Sequence, residues 1–120
     1  MSDPKPVHAT PGVLRRVSAC AGMILAPNPG PMTLDGTNTY VLRAPGSEEC
    51  VVIDPGPPKY KHHARRLAEL PGVALVLVTH RHFDHTGGVS RLHKRTGAPV
   101  RARLEKHCRN GAPLRDREVI

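Results

Sequence analysis

A chain of 120 residues and 13.0 kDa is one domain or part of one. Leu, Ile, Val and Phe total only 27 residues while Gly and Pro total 24, so the core is modest and loops are many, which excludes a coiled coil and a helical bundle. The net charge is +8 with a pI near 10.1, and no apolar run approaches the ~20 residues of a membrane helix, so no membrane association is expected.

Residues 1–12 hold three prolines and no apolar pattern and read as a loose, disordered tail, leaving 13–120 as the folded part. Val13 to Leu25 reads as a first strand region. Arg15 and Arg16 ahead of Val17 to Ala26 faintly resemble an export signal, but Ser18, Cys20 and Gly22 dilute the run and no small-residue cleavage site follows. Pro27, Pro29 and Pro31 forbid helix, and Met32 to Asn38 is a polar turn around Asp35-Gly36. Thr39 to Arg43 reads as a strand, Ala44 to Glu49 as a hairpin-like turn, and Cys50 to Ile53 as a buried strand stopped by Asp54-Pro55-Gly56. Pro58 to Leu70 fits a helix with Ala64, Leu67 and Ala68 on one face, closed by Pro71-Gly72. The unbroken apolar run Val73 to Val78 reads as a central strand covered on both faces. Val89 to Arg95 is predicted helical with Gly97 as its stop, Pro99 to Ala102 a short strand, Leu104 to Cys108 a helical turn, and Val119-Ile120 the start of a strand. Strands followed by strand-helix-strand-helix-strand predict an α/β layered sheet.

Two compositional features bear on partners and compartment. Arg91 to Glu118 carries nine basic and three acidic residues, +6 of the total charge. Such a skew marks a nucleic-acid surface, a solvated face, or a chain whose acidic part lies elsewhere. The three cysteines, Cys20, Cys50 and Cys108, are dispersed and odd in number, which argues against a disulfide framework and for a reducing, cytoplasmic setting.

The chemistry concentrates in His80-Arg81-His82-Phe83-Asp84-His85, three of the eight histidines and an aspartate within six residues. The stretch leaves the C-terminal end of a predicted buried strand, where α/β sheets place their sites, and Gly87-Gly88 then permit a tight turn into the next helix. His80 and His82, two apart at a strand end, can point to one side and bind one zinc-like ion, while Asp84 and His85 can face a second. Imidazole with carboxylate suits Zn, Mn or Fe. Two ions ~3.5–4 Å apart can share a water and lower its pKa towards ~7, and Asp84 can take a proton from it. The bland alternative is a polar loop of solvated histidines. His62, His63, His93 and His107 match no motif and read as solvated surface, with His8 in the tail.

Thr79 to Gly88 resembles the metal-binding signature of the metallo-β-lactamase superfamily. The run Asn28 to Tyr40 is similar to a narrower group of lactamase-like hydrolases that includes a mitochondrial endoribonuclease, and Val52-Ile53-Asp54-Pro55-Gly56 resembles the superfamily's strand-end Asp motif. The resemblance implies the N-terminal half of an αββα sandwich, a mixed sheet with flanking helices. It implies His80 and His82 on a first zinc, Asp84 and His85 on a second, and Asp54 behind them orienting the loop. A plain turn cap before Pro55 is the other reading of Asp54.

The resemblance also implies three further ligands from a second half: a third histidine, a bridging aspartate and a last histidine. No residue after His107 matches them, and His107 itself has the wrong surroundings. The expectation is therefore a truncated chain of a dinuclear zinc hydrolase acting on a small ester, thioester, amide or phosphodiester, itself inactive or weakly active. The competing expectations are a non-catalytic remnant that binds metal weakly, and an RNA-binding or RNA-cleaving protein.

Overall fold

The computed structural model describes residues 10–31, 36–57, 60–80 and 82–120, with backbone alone at Phe83 and Asp84. The sheet contains β1 (Arg15–Arg16), β2 (Ala21–Leu25), β3 (Asn38–Leu42), β4 (Cys50–Ile53), β5 (Val73–Leu77) and β6 (Val100–Arg101), side by side in chain order. The first four strands are antiparallel neighbours, whereas β4–β5 and β5–β6 are parallel. A parallel pair needs a crossover, and the chain supplies helices there. Helix α1 (Lys61–Ala68) joins β4 to β5, while α2 (Phe83–Thr86) and α3 (Val89–Thr96) join β5 to β6. The α/β expectation with a mixed sheet holds.

The core lies between the sheet and the packed pair α1 and α3. Val41, Val52, Val76 and Val100 are register partners across four strands, all buried, and Leu67 and Leu92 cover them from the helices. Each such buried side chain contributes about 1.5–3 kcal/mol. Alternate residues point the other way. Leu42, Val51 and Leu75 form one register row there, and Tyr40, Ile53 and Leu77 another. Leu42 and Tyr40 are each 39% exposed and the others are half-buried. The reading of β5 as covered on both faces is corrected: both crossover helices lie on one side.

Other boundaries also shift. Val13 to Leu25 is a hairpin of β1 and β2 rather than one strand, turned at Ser18, whose Oγ accepts the Cys20 N–H at 3.3 Å. Residues 1–9 of the expected tail lie outside the described residues. Gly12 is tied down, its N–H donating to Leu25 O at 3.0 Å and its carbonyl accepting from Arg66 Nε at 3.0 Å. Val119 and Ile120 form no strand and are exposed. Instead, Val100 and Arg109 exchange two backbone bonds, so the chain folds back against the β6 edge. The Arg101 guanidinium there donates to Ala112 O at 2.8 Å and to both Glu118 oxygens. That guanidinium holds the Glu118 carboxyl below its ordinary range.

His63 is not on the surface, as the sequence suggested, but 2% exposed. It precedes Leu67 by one helical turn and so shares the buried face of α1. Burial pushes its imidazole down to about 4. His62 is exposed as expected; His93 is half-buried, its Nδ1–H donating to Ala98 O at 2.7 Å. No described helix is long and apolar enough to cross a membrane.

Candidate metal centre

Two strand ends build the site. At the end of β4, the Asp54 N–H still donates to Leu77 O at 2.9 Å, continuing the parallel ladder. Asp54 then turns into the left-handed region, φ 59°, which non-glycine residues rarely adopt and Asp tolerates better than most. At the end of β5, Thr79 and His80 leave the sheet, and the one-turn helix α2 follows His82. His82 O accepts from the backbone N–H of His85 (3.0 Å) and of Thr86 (2.9 Å), and from Thr86 Oγ1 at 3.1 Å.

The two loops are clasped directly. The Gly56 N–H donates to His85 O at 3.2 Å, and the Gly88 N–H to Gly56 O at 2.9 Å. A Cβ on Gly88 would stand 2.8 Å from the Pro55 carbonyl oxygen, so this approach requires glycine.

Three donors converge on the Asp54 carboxylate, which is buried. The Thr79 N–H reaches Oδ1 at 2.8 Å, while Thr79 Oγ1–H at 2.6 Å and His85 Nδ1–H at 2.9 Å both reach Oδ2. These bonds fix ring tautomers. Thr79 Oγ1 has spent its one proton on Asp54, so its 2.9 Å contact with His80 Nδ1 must be a bond donated by His80. With Nδ1–H committed on both His80 and His85, the lone pair of each neutral ring sits on Nε2. That is the form in which imidazole binds a metal, with its other nitrogen held by a neighbour.

Asp54, His80 and His85 each offer a ligand atom lying within 4.8 Å of the others. The His80 ring centroid is 4.0 Å from that of His85 and 4.8 Å from that of His82. His80 and His82 are exposed and His85 half-buried, so the cluster opens outward. Nitrogen donors braced by a buried carboxylate suit a zinc-like ion. The Asp84 side chain and Arg81 lie outside the described residues. No cysteine joins the cluster among the described residues; Cys50 begins β4, the strand whose far end carries Asp54.

Sequence reasoning assigned no role to Thr79, although it stood inside the quoted motif; a threonine next to the first histidine was the available signal. It also misread His107. That ring is half-buried, its Nε2 has no partner among the described residues, and burial, with Lys106 and Arg109 nearby, lowers its basicity. His107 and His80 line one cavity of about 370 Å³ with Val78, Thr79, Ala102, Arg103 and Leu104.

The metallo-β-lactamase superfamily model matches residues 32–118. A β-lactamase-like protein 2 homolog of Drosophila melanogaster is 38% identical over 108 residues, covering 86% of this chain and 36% of that protein. An atrochrysone carboxyl ACP thioesterase of Aspergillus chevalieri is 39% identical over 83 residues, covering 66% of this chain and 26% of that protein. The crystal structure of a β-lactamase domain protein from Burkholderia ambifaria superposes with a TM-score of 0.64 at 22% identity, covering 86% of this chain and 34% of that one. The chain thus spans between about a quarter and a third of the length of these relatives. Strand order, the clasped loops and these matches agree: the chain belongs to the metallo-β-lactamase superfamily and carries the N-terminal part of that fold.

Proposed function

We propose that the chain is the metal-binding N-terminal part of a hydrolase that cleaves a small-molecule ester or thioester. The observation that carries this reading is the convergence of Asp54, His80 and His85 at the ends of β4 and β5. His80 and His82 are assigned to one ion, Asp84 and His85 to a second, and zinc is the metal that fits this donor set best. Bound there, such ions supply Lewis acidity and an activated water. Thr79 is bonded to His80 Nδ1 and Asp54 to His85 Nδ1, so Nε2 is the nitrogen each ring would offer an ion. Asp84 is also the proton acceptor. The relative named as a thioesterase supports a thioester substrate class. The basic Arg91–Glu118 segment supports an RNA phosphodiester as the second reading, though Arg101 and Arg109 already spend donors on carbonyls of their own chain.

Calorimetric titration with zinc is expected to show binding that His80→Ala and His85→Ala each weaken at least tenfold while circular dichroism stays unchanged. Equal affinity in all three proteins would remove the metal assignment. The 120 residues alone are expected to turn over thioesters little or not at all, because the superfamily site draws further ligands from beyond the matched part. Turnover abolished by His82→Ala would show instead that this part suffices.

A further inference from the structure

The proposed metal site accounts for Asp54, Thr79 and the loop histidines but leaves His63 without a task. A buried histidine with an orphaned nitrogen is costly, and this one is held in a well-defined way. Thr39 Oγ1 donates its only proton to the Asp54 backbone carbonyl at 2.7 Å. Its 2.8 Å contact with His63 Nε2 is therefore a bond that His63 donates. The remaining nitrogen, Nδ1, is buried without a partner among the described residues. The ring is also wedged from above: a Cβ on Gly56 would stand 2.8 Å from His63 Cδ2, and Gly56 is itself left-handed at φ 93°. Thr39 is fully buried, so no water competes for either bond. The chain of bonds runs from α1 through β3 to the carbonyl of Asp54, whose backbone is in the left-handed region.

We infer that His63 is a positioning residue for the metal site, clamping the Asp54 carbonyl through Thr39 and so fixing the turn that aims the Asp54 carboxylate at Thr79 and His85. The inference rests on the metal reading for its consequence, not for its geometry. A rotation of the Asp54 peptide swings the carboxylate away from both donors at once. The His85 Nδ1–H bond is then lost, and the Thr79 hydroxyl proton, freed from Asp54, no longer dictates the direction of the His80 bond. His63 shares the buried face of α1 with Ala64 and Leu67.

The test compares His63→Phe, which fills the space without donating, with His63→Gln, whose amide N–H can replace Nε2–H. In metal-free protein, NMR reads hydrogen exchange of the Thr79 amide and the downfield Nδ1 proton of His85. In the same samples, Co²⁺ titration reads the affinity of the site. His63→Phe is expected to speed Thr79 exchange at least tenfold, to abolish the His85 Nδ1 signal and to weaken Co²⁺ binding about 10-fold, the scale seen when outer partners of metal ligands are lost. His63→Gln is expected to restore all three towards wild type. A folded His63→Phe protein with Thr79 exchange and the His85 signal unchanged overturns the inference, as does a His63→Gln protein no better than His63→Phe. If His63→Phe does not fold, Thr39→Val against Thr39→Ser decides on the same readings, because valine keeps the shape and removes the link. Should the wild-type chain bind no Co²⁺, the metal reading fails while the metal-free NMR still decides the clamp.

Discussion

Asp54 combines two demands on one residue. Its backbone must sit at φ 59°, which Asn or Gly accepts as readily, but its side chain must accept three hydrogen bonds, which only a carboxylate does. Asp54→Asn keeps the turn and sets an NH₂ group against at least one donor. Zinc affinity is expected to fall 10–100-fold in calorimetry with little change in backbone circular dichroism. His63 gives a second prediction. Its folded value of about 4 lies below the ordinary 6.5, so the native state disfavours the proton that the unfolded chain accepts. Stability is therefore unaffected by this group above pH 6.5 and lost as pH falls towards 4, by up to about 3 kcal/mol. Urea unfolding at pH 7 and pH 4.5 is expected to show a steeper loss for wild type than for His63→Gln. Had the histidine pair been placed on the helical wheel with Leu67, the sequence would have put His63 inside; polarity alone argued for the surface. The motif histidines were legible because their spacing is chemical. The brace of Thr79 and Thr39 was not, since threonine is common and its partners are set by tertiary register.

At the scale of elements, the legible parts were those with strong punctuation. Gly97 ends α3 at φ 73° and donates to His93 O at 2.8 Å, as a C-terminal stop does. Cys50–Ile53 and its stop at Asp54 were readable from β-branched content followed by Pro-Gly. The β1–β2 hairpin was missed because its turn is built on a serine side chain rather than on glycine or proline. That the β6 edge is closed by the chain's own Arg109 segment follows from contacts no local pattern announces. The glycines sort by what surrounds them. Gly88→Ala drives a Cβ into the Pro55 carbonyl at 2.8 Å and is expected to destabilise by about 1–3 kcal/mol and to weaken zinc binding with it. Gly97→Ala has nothing within 4 Å of the new methyl and carries only the left-handed backbone penalty, about 1–2 kcal/mol, leaving zinc affinity alone. Urea midpoints and zinc titrations of the two variants check this separation.

Across the whole molecule the sheet is asymmetric. Both long helices cover one face, and the rows through Leu42 and Tyr40 leave the other partly open. Open apolar surface of this kind binds hydrophobic dyes. Anilinonaphthalene sulfonate is expected to fluoresce with the native chain and less with Leu42→Lys, while the urea midpoint moves little because position 42 is 39% exposed. The sequence, through its resemblance to one half of a sandwich, agrees with an uncovered face. It misjudged β5, whose continuous apolar run imitates a strand buried on both sides.

The sheet order has a kinetic consequence. Because β1 to β6 lie side by side in the order in which they are synthesised, every strand after the first pairs with one already made. No strand has to wait for a later one to be inserted between it and its neighbour. The bond from His85 to Asp54 closes across 31 positions. A polypeptide growing from the ribosome can therefore close the Asp54–His85 clasp soon after α3 emerges, before β6 takes its place at the edge of the sheet.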